Sequence, residues 1–212
     1  MKARKRPLQK IARNLNPTGF QLGISGGLAF PQNEKISESR GYSFGIHGEM
    51  SFSKSLRLWL EANYYKVKFE THEADRKLGV PILPPPSDDY IFSDAHVVDP
   101  FIQYSIGLQY LFYAHKKWKP YLGLGYSAAS LLPYEIRYDF IHATEDIDLS
   151  IQEEIDRYDF IMNMFLFSGG VEGELSKRLC FQLEGYYRWN GTNDGVVVPD
   201  ILGLRSKFIY KF

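Results

Sequence analysis

The sequence predicts an all-β protein, an antiparallel up-and-down transmembrane β-barrel of eight strands with short periplasmic turns and long extracellular loops. Three observations predict it. Apolar and polar residues alternate with period two in segment after segment, which gives each strand one greasy and one wet face. The chain of 212 residues carries 15 Tyr, 15 Phe and 3 Trp, an aromatic content suited to rings gathering at a membrane boundary. The links between segments alternate between short and long, the arrangement of outer-membrane barrels.

The strands follow in order. The first sets Phe20, Leu22, Ile24, Leu28 and Phe30 outward against Gln21, Gly23, Ser25, Gly27 and Ala29. The second sets Tyr42, Phe44, Ile46, Met50 and Phe52 against Ser43, Gly45, His47, Glu49 and Ser51. In the third, Leu56, Leu58, Leu60, Ala62 and Tyr64 oppose Arg57, Trp59, Glu61 and Asn63; in the fourth, Ile102 to Phe112 alternate over Gln103, Ser105, Gly107 and Gln109. The fifth places Leu122, Leu124, Tyr126 and Ala128 outside Tyr121, Gly123, Gly125 and Ser127. The sixth is apolar on both phases from Phe160 to Phe167 except at Asn163, and alternates only lower down, at Val171, Glu172, Glu174 and Leu175. The seventh runs Leu179, Phe181, Leu183, Tyr187 and Trp189 over Cys180, Gln182, Glu184, Tyr186 and Arg188. The closing strand sets Leu202, Leu204, Phe208, Tyr210 and Phe212 against Gly203, Arg205, Lys207 and Lys211. An even strand count puts both termini on one side.

Ser53 to Ser55, the segment with Lys116, Lys117, Lys119 and Pro120, and Ser176 to Arg178 make the short turns. The long loops include about Thr71 to Asp99 and Pro133 to Asp159. From Glu70 to Asp99 and from Pro133 to Asp159 there are 16 acidic and 4 basic residues, whereas the leader to Arg13 has six bases and no acid. The reading is an acidic outside and a basic periplasmic rim. Within the third long loop, Ile136, Tyr138 and Phe140, then Ile147, Leu149 and Ile151, alternate with polar residues, so strands five and six are expected to continue above the membrane as a hairpin. Its acids guard the strand edges or present a docking strand. Pro81, Pro84, Pro85 and Pro86 stiffen the second loop, and Tyr90, Ile91 and Phe92 form an apolar patch expected to pack across the barrel mouth or, alternatively, to touch a partner.

Other classes find less support. Charges balance at 25 against 25, so there is no bulk nucleic-acid signal. The single Cys180 permits no internal disulfide, and no cluster has metal-ligand spacing, so no cofactor is expected. The longest uncharged stretch, Asn14 to Asn33, holds Pro17, Pro31 and four glycines, a poor match to the roughly 20 apolar residues of a transmembrane helix. Residues 1–17 read as a basic periplasmic tail and 18–212 as the barrel. The leader lacks the apolar core of an export signal, so the expectation is a signal already cut away or a barrel excised from a longer chain.

Together KPYLGLGY from Lys119 to Tyr126, SGGVEG from Ser168 to Gly173, EGYYR from Glu184 to Arg188 and the terminal Phe212 carry a resemblance over almost the whole chain. The chain resembles the small eight-stranded outer-membrane barrels of Gram-negative bacteria, the OmpX/OmpA-like group, and particularly the Bacteroidota barrels labelled PorT-like. The resemblance implies an integral multi-pass protein of the bacterial outer membrane, assembled by the barrel-insertion machinery, which reads the last strand.

Eight strands enclose a space that side chains can fill. Inward positions hold five bases, Arg57, Arg188, Arg205, Lys207 and Lys211, beside five acids, Glu49, Glu61, Glu172, Glu174 and Glu184, which suggests an ion-paired plug. Glu49 is expected to pair with Arg57, and Glu184 with Arg205 directly across the seventh and eighth strands. Arg40, Lys66 and Lys68 fall on the outward phase just above the apolar band, where lipopolysaccharide phosphates lie. The function expected is non-enzymatic: a structural, surface-interaction or accessory-subunit protein whose acidic loops meet an outer-membrane or extracellular protein. The alternative is a lipid A-modifying enzyme; a soluble lipocalin-like carrier comes third. For catalysis, His47 with Glu49 and Ser51 is the one lumenal candidate among His47, His72, His96, His115 and His142, but steps of about 7 Å along one strand face are too long for a direct relay.

Overall fold

The computed structural model describes residues 19–75, 78–157, 160–191 and 199–212. It is antiparallel throughout, with ten strands: β1 (Phe20–Gln32), β2 (Glu38–Ser51), β3 (Leu56–Thr71), β4 (Tyr90–Leu111), β5 (Trp118–Leu131), β6 (Tyr134–His142), β7 (Asp148–Ile155), β8 (Phe160–Glu174), β9 (Leu179–Asn190) and β10 (Asp200–Lys211). Eight of them close a ring. Each of β1 to β4 pairs with the next, β5 pairs with β8, β8 with β9, β9 with β10, and β10 returns to β1. Closure leaves the ring without an edge, the condition for crossing lipid with strands.

The faces follow the predicted phases. Phe20, Leu22, Ile24 and Leu28 of β1, Ile106 and Leu108 of β4, and Leu202, Leu204 and Phe208 of β10 are exposed, while Ser25, Gln103, Ser105, Arg205 and Lys207 are buried. Outward apolar side chains on β1, β4 and β10 run from Phe20 to Phe30, Ile102 to Phe112 and Leu202 to Phe212. Ten residue steps make roughly 34 Å of strand, or about 26 Å at a tilt near 40°, which matches the ~25 Å apolar band of such barrels. Rings cluster at its margins. Phe20 stacks on Phe212 and Tyr210 meets Phe212 at the turn rim; Phe44 packs on Tyr64 and Phe165 on Trp189 near the other.

Turns behave as expected, with links at 52–55, 112–117 and 175–178. The second long loop is shorter than predicted, because Tyr90 to Asp99 is strand. Asp94, Asp99 and Pro100 read as loop signals, yet Ala95, Val97 and Phe101 keep the inward phase and are buried. β4 is therefore 22 residues long and rises beyond the ring beside the top of β3. The hairpin expected in the third long loop is present as β6 and β7. β6 continues β5 along β4 after a break at Leu132 and Pro133, and the register there gains one residue.

The tops of β2, β3 and β4 with β6 and β7 thus form a platform above the ring. Its inner face has its own core, including Phe69, Val97, Ile136, Tyr138 and Phe140, roofed by Leu78 and Val80 of the loop after β3. Tyr138 Oη donates to the Pro81 carbonyl at 3.1 Å, so a proline of that loop is fixed to the sheet. Tyr90 and Phe92 pack against this core, whereas Ile91 points out and is exposed. Lys35 ties the first loop to the second through Glu73 at 2.6 Å and Asp75 at 2.7 Å. Those two acids, Asp75 foremost, raise the Lys35 pKa.

Candidate functional site

The lumen has two layers. Toward the turns it is polar. Arg57, from the start of β3, reaches Glu49 at 2.9 Å and also pairs with Glu172 of β8. Gln182 on β9 donates to both acids, at 2.9 Å to Glu49 and 3.1 Å to Glu172. One layer up, Arg205 lies between Glu184 at 2.5 Å and Glu61 at 2.7 Å, and Lys207 and the Tyr121 hydroxyl also reach Glu184. At the rim Lys119 contacts Glu174 at 2.5 Å and Glu172 at 3.5 Å, and Lys211 joins Glu174. Five acids and five bases from six strands are cross-linked around the circumference.

Both pairs singled out from the sequence are brought together. β9 and β10 take the predicted register, Arg188 opposite Ile201, Tyr186 opposite Gly203 and Glu184 opposite Arg205. Glu49 meets Arg57 diagonally, since Arg57 is opposite Ser51 in the ladder. Two members differ from expectation. Arg188 is not in the network: fully buried in the upper lumen, it donates to Gln103 at 3.3 Å and the Pro199 carbonyl at 3.2 Å and lies over the Phe101 ring at 4.6 Å. Lys119 takes the fifth basic place. The sequence reading put it in a turn, although it shares the odd, inward phase of Tyr121, Gly123 and Gly125, and that parity is the signal that finds it.

His47 also departs from expectation. Its Nε2 is 2.9 Å from Glu49 and its Nδ1 is 3.4 Å from Glu61, so the two acids flank the ring despite the long backbone step. Side chains leaning along the strand close the gap. A histidine between two carboxylates already committed to Arg57 and Arg205 belongs to the charge network, and Ser51 is not among its partners in the described residues.

Among and above the ions lies an apolar cluster, alongside Arg188 and the hydrogen-bonded Gln103, Ser105 and Ser127. Trp59, Tyr65, Phe101, Leu131, Met164, Leu166, Tyr186 and Ile201 form one buried cluster. Inward glycines make this possible: a Cβ on Gly107 or Gly125 would stand 2.4 Å or 2.6 Å from the Trp59 ring, and one on Gly203 2.2 Å from the Tyr186 ring. Met164 and Leu166 explain why the upper sixth strand is apolar on both phases. The buried Arg157–Asp99 pair at 2.6 Å lies where lumen and platform meet.

Outside, Arg40, Lys66 and Lys68 lie where the phase placed them, and Arg40 stands directly opposite Lys68 across β2 and β3. Next to these two runs a groove of about 400 Å³ lined by Glu38, Glu70, His96, Glu135, Arg137 and Gln152. Of the platform residues of this groove, His96 lies in a segment that reads as loop in the sequence, while Glu135, Arg137 and Gln152 lie on or beside the expected hairpin, whose pairing with β4 the sequence does not show.

An edgeless ring with an apolar exterior, aromatic margins and a packed polar interior is a transmembrane β-barrel of the outer-membrane class. Comparison with solved structures agrees on the fold. Neisserial surface protein A is 14% identical, with 93% of this chain and 99% of that chain covered and a TM-score of 0.53. The outer membrane protein OprG of Pseudomonas aeruginosa is 13% identical over 93% of this chain and 97% of that one, with a TM-score of 0.48. No family model matches this chain, and no curated protein matches it.

Proposed function

We propose that this chain is an integral protein of the bacterial outer membrane that acts through its extracellular platform, without catalysis and without a pore. The observation that carries this reading is the pairing of a lumen filled along its length with a sheet that rises outside it on a separate core. A filled lumen leaves little room for substrate or flux; a rigid platform offers a surface. That surface is acidic. Asp148, Glu153, Glu154 and Asp156 lie on or next to β7, which pairs with β6 alone among the described strands, so a basic extended segment of an outer-membrane or extracellular protein fits it best. The OmpX/OmpA-like fold supports insertion by the barrel machinery, with the 1–17 tail in the periplasm, and kinship with the PorT-like barrels is part of the same reading.

The test is cross-linking on intact cells from cysteines placed at Ser150 and Gln152, in a Cys180→Ser background, followed by identification of what is captured. Capture of one surface or outer-membrane protein, lost when β7 acids become Lys, is the expected result. The lipid A-modifying alternative predicts instead that lipid A from cells lacking this protein changes in mass.

A further inference from the structure

Across the outward face of β2, β3 and β4 the side chains form an ordered grid. Going up from the apolar band, Tyr42 stands beside Lys66 and Pro100, then Arg40 beside Lys68 and Val98, then Glu38 beside Glu70 and His96. Bases lie nearest the membrane and acids one step above. Like charges directly opposite one another destabilise a sheet, and Arg40–Lys68 is such a pair. Lys66 adds a third cation two residues down the same face. Each has acids nearby, yet among the described residues none of the three forms an ion pair or a side-chain hydrogen bond. In the lumen the charges are paired, and the exposed Lys35 contacts two acids, whereas here three cations without partners are crowded onto one sheet face. Three unpaired cations in one patch, at the height of the headgroups, cost stability unless an anion supplies the missing partner.

The groove beside them decides what kind of anion. Its volume of about 400 Å³ lies within the range of small-molecule sites, roughly 300–1,000 Å³, and exceeds what a bare phosphate needs. Its walls carry Glu38, Glu70 and Glu135, which repel a second phosphate but accept hydrogen bonds from hydroxyls, Arg137, whose charge is met by Asp139, and Gln152, which both donates and accepts. Phosphate at one end and hydroxyls along the rest describe a phosphorylated saccharide.

We infer that Arg40, Lys66 and Lys68 with the adjoining groove form a binding site for the phosphorylated sugar headgroup of lipopolysaccharide in the outer leaflet. The inference rests on the outer-membrane reading and adds the lipid partner. Arg40 and Lys68 hold the phosphate by charge-assisted hydrogen bonds, and the acids of the row above receive the sugar hydroxyls.

The test uses the purified protein in nanodiscs of zwitterionic phospholipid, with and without added lipopolysaccharide. The wild type should gain thermal stability with lipopolysaccharide and gain much less with the same lipid after enzymatic dephosphorylation. The double variant Arg40→Gln/Lys68→Gln should bind lipopolysaccharide at least about tenfold more weakly, as expected for loss of charged hydrogen bonds. In phospholipid alone the same variant should be at least as stable as wild type, because the like-charge pair is gone. That reversal of sign is the signature of a site kept for a ligand. Equal lipopolysaccharide binding by wild type and variant would overturn the inference, and so would a variant destabilised in phospholipid alone. Equal stabilisation by phosphatidylethanolamine would remove the saccharide. All these readouts are made in vitro, so failure here is separable from failure of the cellular location, which membrane fractionation measures.

Discussion

Glu184 and Arg205 face each other across β9 and β10, both buried, with almost no water-exposed surface to soften their interaction. Removing one member of a buried pair typically costs about 3–5 kcal/mol, while removing both can cost far less, because no uncompensated charge remains. Glu184→Gln and Arg205→Gln should therefore sum to clearly more than the double variant in denaturant unfolding from lipid vesicles. Coupling will be incomplete, since Arg205 keeps Glu61 and Lys207 loses only one of two acids. Strict additivity would show that the lumenal charges are not a network. A second residue reports on the platform. Burial, with Glu153 nearby, pushes the Tyr138 phenol up to about 12. A folded-state value above the unfolded value near 10 means stability is intact below about pH 10 and declines as pH rises toward 12. Tyr138→Phe should cost about 1 kcal/mol at neutral pH through the lost bond to Pro81, and should abolish part of that alkaline decline. An unchanged alkaline profile would place the loss of stability elsewhere.

Single strands carry two codes at once. On β4, Ile106 faces lipid and is exposed, while Ser105 beside it bonds Ser127 at 2.8 Å inside. Ile106→Arg should cost roughly 2–4 kcal/mol, as a lipid-facing charge near the midplane does. The measurement is reversible folding into vesicles, and a neutral result would put the strand in the opposite phase. β4 also shows how an element changes role along its length. Its lower half is held between β3 and β5 in lipid, and its upper half between β3 and β6 above it. Alternation alone marks both halves, but the polar outward residues of the upper half look like a loop until a partner strand is in place.

For the molecule as a whole, the proposed reading is an axis filled by charged and apolar side chains. In planar bilayers the wild type should give no steady current of porin size. A stable large conductance would move function from the platform to the lumen.

The sequence by itself determined the barrel. Period-two alternation assigns each strand its face, the short turns set the antiparallel order, and the recurrence of inward charge on five strands foretold an ion-paired interior, all from local pattern against a known solvent. Register between β9 and β10 was legible too, because Asn190 and Pro199 bound a short gap and a one-residue slip would have put Arg205 in lipid. Only tertiary structure decided the rest. Which acid meets which base depends on side chains crossing the lumen from strands far apart in the chain, as Arg57 and Glu172 do. The packing of Trp59 over Gly107 and Gly125 needs three strands in place before glycine reads as space. The β6–β7 hairpin is legible as alternation, but the platform exists because the top of β4, which reads as loop, finds β6 above the ring, and that pairing is a property of the folded sheet.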